Sequence, residues 1–102
     1  MSVLYRRLLD ARLGAFLRVE FTTRGREILD YSVVLMVDRR GLRTVRVYDG
    51  AHGFNEMHRH TERNGKQAGV VFHRGTLGDG MRDAIEAVEA GYEQMIEGWE
   101  AR

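Results

Sequence analysis

Residues 76–100 read TLGDGMRDAIEAVEAGYEQMIEGWE, and this stretch decides the fold. Met81, Ile85, Val88, Tyr92, Met95 and Trp99 recur at alternating steps of four and three, the period of one helical face, with Ala84 and Ile96 beside them. Asp83, Glu86, Glu89, Glu93, Glu97 and Glu100 occupy the outward positions. Thr76 followed three residues later by Asp79 matches an N-terminal capping box, and the helix is expected from about Gly78 onward. Gly91 and Gly98 each weaken it by about 1 kcal/mol relative to alanine. A helix with one apolar stripe needs an apolar surface to cover, and the preceding segments supply it. The alternative use of the stripe is a seam for a partner helix.

Upstream, the period changes from 3.6 to 2. Ala15, Leu17, Val19 and Phe21 alternate with Phe16, Arg18, Glu20 and Thr22. Residues 28–37 are apolar on both faces in their second half, as a central strand requires. Leu42 to Tyr48 forms another strand after the Arg39-Arg40-Gly41 turn. Residues 3–11 fit either a short strand or a turn and a half of helix. The chain therefore reads as one α+β domain over 1–102, an antiparallel sheet of about four to five strands packed on one long C-terminal helix.

Composition narrows the function classes. Of 102 residues, 43% are hydrophobic and 30% charged, values typical of a chain that folds. There is no cysteine, which removes disulfides and thiolate metal sites and suits a reducing cytoplasm. No apolar run is long enough for a signal peptide or a membrane span. The net charge of +1 conceals a division: residues 1–78 carry +6 and residues 79–102 carry −5. A basic sheet region joined to an acidic helix can meet phosphates with one part only, unless the two parts neutralise each other within the fold.

Chemistry concentrates between residues 46 and 74. Asn64-Gly65 is the preferred pair for a two-residue type I′ hairpin loop between strands 56–62 and 67–73. That loop would set His60 opposite Gly69, His58 opposite Val71 and Glu56 opposite His73. His58, His60 and His73 would then share one face with Glu56 and Glu62, and His52 could approach from the 49–56 loop. Such a face has three uses. It could be a metal site, since His-x-His aims both rings one way. It could be an acid–base pair for RNA cleavage without metal. It could also be a polar surface. With no zinc-type spacing present, no metal and no cofactor is expected. Arg39, Arg40, Arg43 and Arg46 upstream, and Arg59, Arg63, Lys66 and Arg74 around the hairpin, suit bidentate phosphate contact. Tyr48 and Phe54 could stack bases.

The segment Val47-Tyr48-Asp49-Gly50-Ala51-His52-Gly53-Phe54, followed by His58-Arg59-His60, resembles a pattern in short bacterial proteins of unknown function. It is also similar to the Tyr-Asp-Asn-Ala-…-His-…-His-Lys-His segment of TumE-type toxins from toxin–antitoxin modules. Gly50 replaces the asparagine, Arg59 replaces the usual lysine, and no proline precedes the histidine pair. The resemblance covers about residues 45–60 and singles out Tyr48, Asp49, His52, His58 and His60. It implies a small toxin-like or interaction protein. The leading expectation is thus an RNA-binding, toxin-like protein, a metal-independent ribonuclease in its enzymatic form. His58 and His60 would be acid and base, with His52 and His73 assisting, and Arg46, Arg59 and Arg74 would hold phosphate beside Tyr48 and Asp49. Its partners would be RNA and a cognate antitoxin. The competing expectation is a non-enzymatic module that binds a protein partner or a second copy of itself.

Overall fold

The computed structural model describes residues 1–101. Six strands precede one helix: β1 (Ser2–Asp10), β2 (Ala15–Arg24), β3 (Glu27–Asp38), β4 (Leu42–Asp49), β5 (Asn55–Thr61), β6 (Gly65–His73) and α1 (Leu77–Glu100). The strands pair antiparallel in chain order, β1-β2-β3-β4-β5-β6, so every sheet connection joins neighbouring strands. The architecture agrees with the sequence reading, but the sheet has six strands rather than four to five. The added strand is β1. Its residues Val3 and Leu9 are only half buried, and the rest up to Leu8 are exposed, so it carries the weak apolar pattern of an edge strand.

Helix α1 lies across one face of the sheet, chiefly over β3 and then over β5 and β4. Leu17, Val19, Val33, Leu35 and Val37 are wholly buried beneath it. Trp99 and Val88 from the helix stripe are buried as well, whereas Met81, Ile85, Tyr92 and Met95 are half buried at its margins. The most buried line is rotated toward Ala84 and Ile96. Small residues allow this. At Gly80 the helix backbone comes close enough to Asn55 to leave no room for a Cβ. The Thr76 hydroxyl accepts the Asp79 N–H at 3.1 Å, as the capping pattern predicts. Arg7–Glu89 at 2.7 Å and Arg39–Glu100 at 3.2 Å join the basic sheet to the acidic helix.

The β5–β6 hairpin departs from the two-residue loop. Its loop is Glu62–Asn64, and only Gly65 takes a positive φ (+70°), Asn64 remaining on the negative side. The Thr61 hydroxyl accepts the Asn64 N–H at 2.9 Å, so the side chain closes the turn that a second left-handed residue would otherwise make. Thr61 pairs with Gly65, and the ladder shifts between His58 and His60 and again between Asn55 and Glu56. His58 consequently faces Gly69, Glu56 faces Val71, and His73 faces Asn55. The expected partners Val71 for His58, Gly69 for His60 and His73 for Glu56 are all displaced. Irregular steps of this kind exchange the face on which a strand's side chains emerge.

Candidate functional site

Register across the sheet sorts the chemistry onto two faces. Arg6, Arg18, Val34, Val47, His58 and Gly69 stand in one row through all six strands. Leu4, Glu20, Ser32, Asp49, Glu56 and Val71 form the next row. These residues alternate with the buried core residues Leu17, Val19, Val33 and Leu35, so they face away from the helix.

On this open face Asp49, Glu56 and His58 converge. The His58 Nε2 lies 3.0 Å from Glu56 Oε1 and 3.9 Å from Asp49 Oδ2. The ring's other nitrogen, Nδ1, donates to the Gln67 carbonyl at 3.1 Å. His52 comes up from the loop, its Nδ1 lying 3.3 Å from the same Glu56 oxygen. His58 is buried, Asp49 and Glu56 are half buried, and His52 is exposed. Burial pushes the Glu56 carboxyl upward, but its contacts with the His58 and His52 rings outweigh it and hold the group below its usual range. Gly69 is required here. A Cβ on it would stand 2.6 Å from His58 Cε1 and 2.7 Å from Glu56 Cδ.

His73 is not part of this cluster. The register shift at its end of β6 turns it toward the helix, where its Nδ1 meets Asp83 Oδ2 at 2.6 Å. The expectation of one face shared by His58, His60 and His73 is corrected accordingly. Tyr48 is also withdrawn as a stacking plane. It is 4% exposed and packs edge-to-face on Phe72 at 4.9 Å. Phe54 remains exposed beside His52, with ring centroids 6.0 Å apart.

The helix-facing side holds the arginines. Arg46 and Arg59 are cross-strand partners in the row that contains Leu17 and Leu35. They line a groove of about 630 Å³ between the C-terminal half of α1 and the β5–β6 edge. Met57, Met95, Trp99 and Val70 form its apolar walls, and His60 lines it as well. Arg46 donates at 3.5 Å to the Tyr48 hydroxyl, and its buried Nε has no partner. Neither guanidinium has a carboxylate within ion-pair distance among the described residues, although like charges directly opposite one another repel. Burial holds His60 below the ordinary histidine range, and the charges of Lys66 and His58 act in the same direction. Its Nε2 also has no hydrogen-bond partner among the described residues.

The expected phosphate strip is broken up. Arg39 donates to the Leu13 and Asp38 carbonyls and pairs with Glu100. Arg43 donates to the Glu62 carbonyl and lies over the Trp99 ring at 5.4 Å. Both hold the end of the helix. Arg40 and Arg74 are exposed away from such contacts. Glu56, which the sequence reading places on the histidine face without a role, and the groove walls complete the chemistry. Glu56 had one signal, its place two residues before His58 on a strand. The walls had none, because Trp99 and Val70 are distant in sequence.

Comparison with known families matches the whole chain, residues 1–102, to the family described as Domain of unknown function (DUF7718), and the chain belongs to it. No curated protein matches, and no solved structure matches.

Proposed function

We propose that this member of a family without assigned function is a toxin-like, RNA-binding protein whose phosphate site is the Arg46–Arg59 pair. One observation carries the reading: two arginines are directly opposed across β4 and β5, and neither has a carboxylate within ion-pair distance among the described residues. A phosphate between them would relieve that repulsion through bidentate contacts. Asp49 and Glu56 repel phosphate, so His58 is not the acid–base group of this site. His60 takes that role in the enzymatic form. An imidazole that burial holds below the ordinary histidine range, lining the same groove as the two arginines, suits a general base for the ribose 2′-hydroxyl. The likeness of the Tyr48–His60 segment to TumE-type toxins points the same way, and an acidic antitoxin segment would compete with RNA for the groove. Among the described residues no helix is long and apolar enough to cross a membrane, and the cysteine-free chain suits the cytoplasm.

The test is anisotropy with a short labelled single-stranded RNA over a salt series. Binding should weaken steeply with salt, and Arg46→Ala or Arg59→Ala should each flatten the log–log slope by roughly 0.7 to 1. His60→Ala should retain binding and lose any cleavage. Binding that ignores salt, or that survives the double arginine variant, rejects the reading.

A second reading is favoured by β6, a sheet edge that exposes Val70 at 53% and Val71 at 46%. An unpaired apolar edge accepts another strand, and a second copy of β6 would extend the sheet. A concentration-dependent dimer abolished by Val71→Lys, with no RNA binding, would favour that module.

A further inference from the structure

The open-face cluster holds donors rather than a phosphate cradle. We infer that Asp49, Glu56 and His58 form a binding site for a divalent transition metal of the zinc class, with His52 as fourth donor. This inference is independent of the RNA reading, since the two sites lie on opposite faces of the sheet.

The argument begins with the tautomer of His58. The Gln67 carbonyl can only accept, so Nδ1 carries a proton. In the neutral ring Nε2 is then a bare lone pair, and it points at two carboxylates that offer only lone pairs. Either a second proton or a cation must lie among them. Imidazole ligands of metals are ordinarily fixed in this way, with the distal N–H on a backbone carbonyl.

Distances agree with a metal. Bonds of about 2.0–2.1 Å in tetrahedral geometry place donor atoms about 3.4 Å apart. Here His58 Nε2 is 3.0 Å from Glu56 Oε1 and 3.9 Å from Asp49 Oδ2, and one ligand atom from each of the three residues lies within 4.8 Å of the others. Side-chain rotations of less than about 1 Å would equalise the set. The three side chains are only 10%, 14% and 18% exposed for His58, Glu56 and Asp49, so water screens them little. Gly69 opposite leaves the ring and the carboxylate the space they occupy. His52 Nδ1 lies 3.3 Å from the shared Glu56 oxygen, on a loop that can bring it onto the ion. Imidazole nitrogen with carboxylate oxygen suits Zn²⁺ and its neighbours, whereas Mg²⁺ and Ca²⁺ prefer six or more oxygens.

The test uses the full chain, stripped with chelator and titrated with Zn²⁺ by calorimetry, with Co²⁺ absorption as the geometric probe. One ion per chain, tetrahedral Co²⁺ bands and a raised melting temperature are expected. Asp49→Asn and Glu56→Gln, which keep shape and remove charge, should each weaken Zn²⁺ at least tenfold. His52→Ala should weaken it less, and His73→Ala should leave it unchanged. Zn²⁺ should move the His58 Nε2 resonance while Nδ1 keeps its proton. His58 is buried, so these conservative variants, checked for fold by circular dichroism, decide the matter. Absence of saturable binding by the folded wild type would overturn the site. So would binding that survives both carboxylate variants or disappears in His73→Ala.

Discussion

Replacing Gly80 with alanine should destabilise the protein, although the same change in an open helix gains about 1 kcal/mol. The difference lies in what the new methyl group meets. A Cβ at Gly80 would stand 1.9 Å from Asn55 Oδ1 and 2.2 Å from its Cγ. Asn55 is 1% exposed and cannot swing into solvent. Its Oδ1 accepts the Tyr31 hydroxyl at 2.7 Å, and its Nδ2 donates to the Gly75 and Thr76 carbonyls at 3.1 Å each. These bonds tie β3 and β5 to the start of the helix. Moving the amide loses three of them at about 1 kcal/mol apiece, and strands the hydroxyl of buried Tyr31. Set against the helical gain, the net loss is about 2 kcal/mol or more, a fall in melting temperature of roughly 10 °C or more for a domain of this size. Gly91→Ala is the control. Its Cβ meets only the flexible end of Met95 at 3.4 Å, so it should raise the melting temperature by a few degrees. Thermal unfolding followed by far-UV circular dichroism reads both. The pair Asn55→Ala/Gly80→Ala should cost less than the sum of its parts, because one change removes the other's obstacle. A Gly80→Ala protein melting at or above wild type would refute the packing assigned to Asn55.

Trp99→Ala should cost roughly 3–5 kcal/mol, since the ring is 2% exposed beneath Arg43; an unchanged melting temperature would contradict its place in the core. His60, held below the ordinary histidine value of 6.5, resists protonation in the folded chain more than in the unfolded one. Its contribution is therefore full above that value and is lost as pH falls through its depressed native pKa, so His60→Gln should flatten the loss of stability as pH falls below 6.5. Glu56, held low, acts further down: its contribution is present above the ordinary value of 4.5 and is lost as pH falls through its native pKa, a loss that Glu56→Gln removes. The two faces should also separate in binding assays: Glu56→Gln should change Zn²⁺ affinity without changing the RNA salt slope, and Arg46→Ala should do the reverse.

The helix was legible because its signals are local and redundant. Thr76 and Asp79 mark its start, and the stripe from Met81 to Trp99 marks its buried side. Strands β2 to β4 were legible from alternation and from the two-sided apolar run of β3. Strand β1 was not, since an exposed edge imposes little pattern on its residues. The hairpin site depends on one turn and two ladder shifts. Asn64-Gly65 carries the composition of a two-residue loop, but Thr61, three residues before Asn64, offers a hydroxyl that caps a longer one. No local rule ranks those competitors, and the ladder then shifts twice more within seven residues of β5. His52 and Asp49 were legible as neighbours of His58, because they flank it through a short loop whatever register β6 adopts.

The pairing of β4 with β5, which has no such shift, explains why one sheet holds two sites of opposite charge. Asp49 and Glu56 are cross-strand partners, and so are Arg46 and Arg59 three residues away along each strand. An odd spacing on a pleated strand reverses the face, so regular pairing of β4 with β5 sends the carboxylates outward and the guanidiniums under the helix. Had both pairs emerged together, they would have neutralised one another as salt bridges and left neither free for a ligand. Apart on two faces, the carboxylates have only histidines as cationic partners, and the guanidiniums have no carboxylate within ion-pair distance among the described residues. Each face therefore retains an unmet charge of one sign: the open face calls for a cation and the groove for an anion. Within about 8 Å, the screening length at physiological salt, each site dominates its own surroundings. That division connects a spacing visible in the sequence to two binding chemistries that no contiguous motif records.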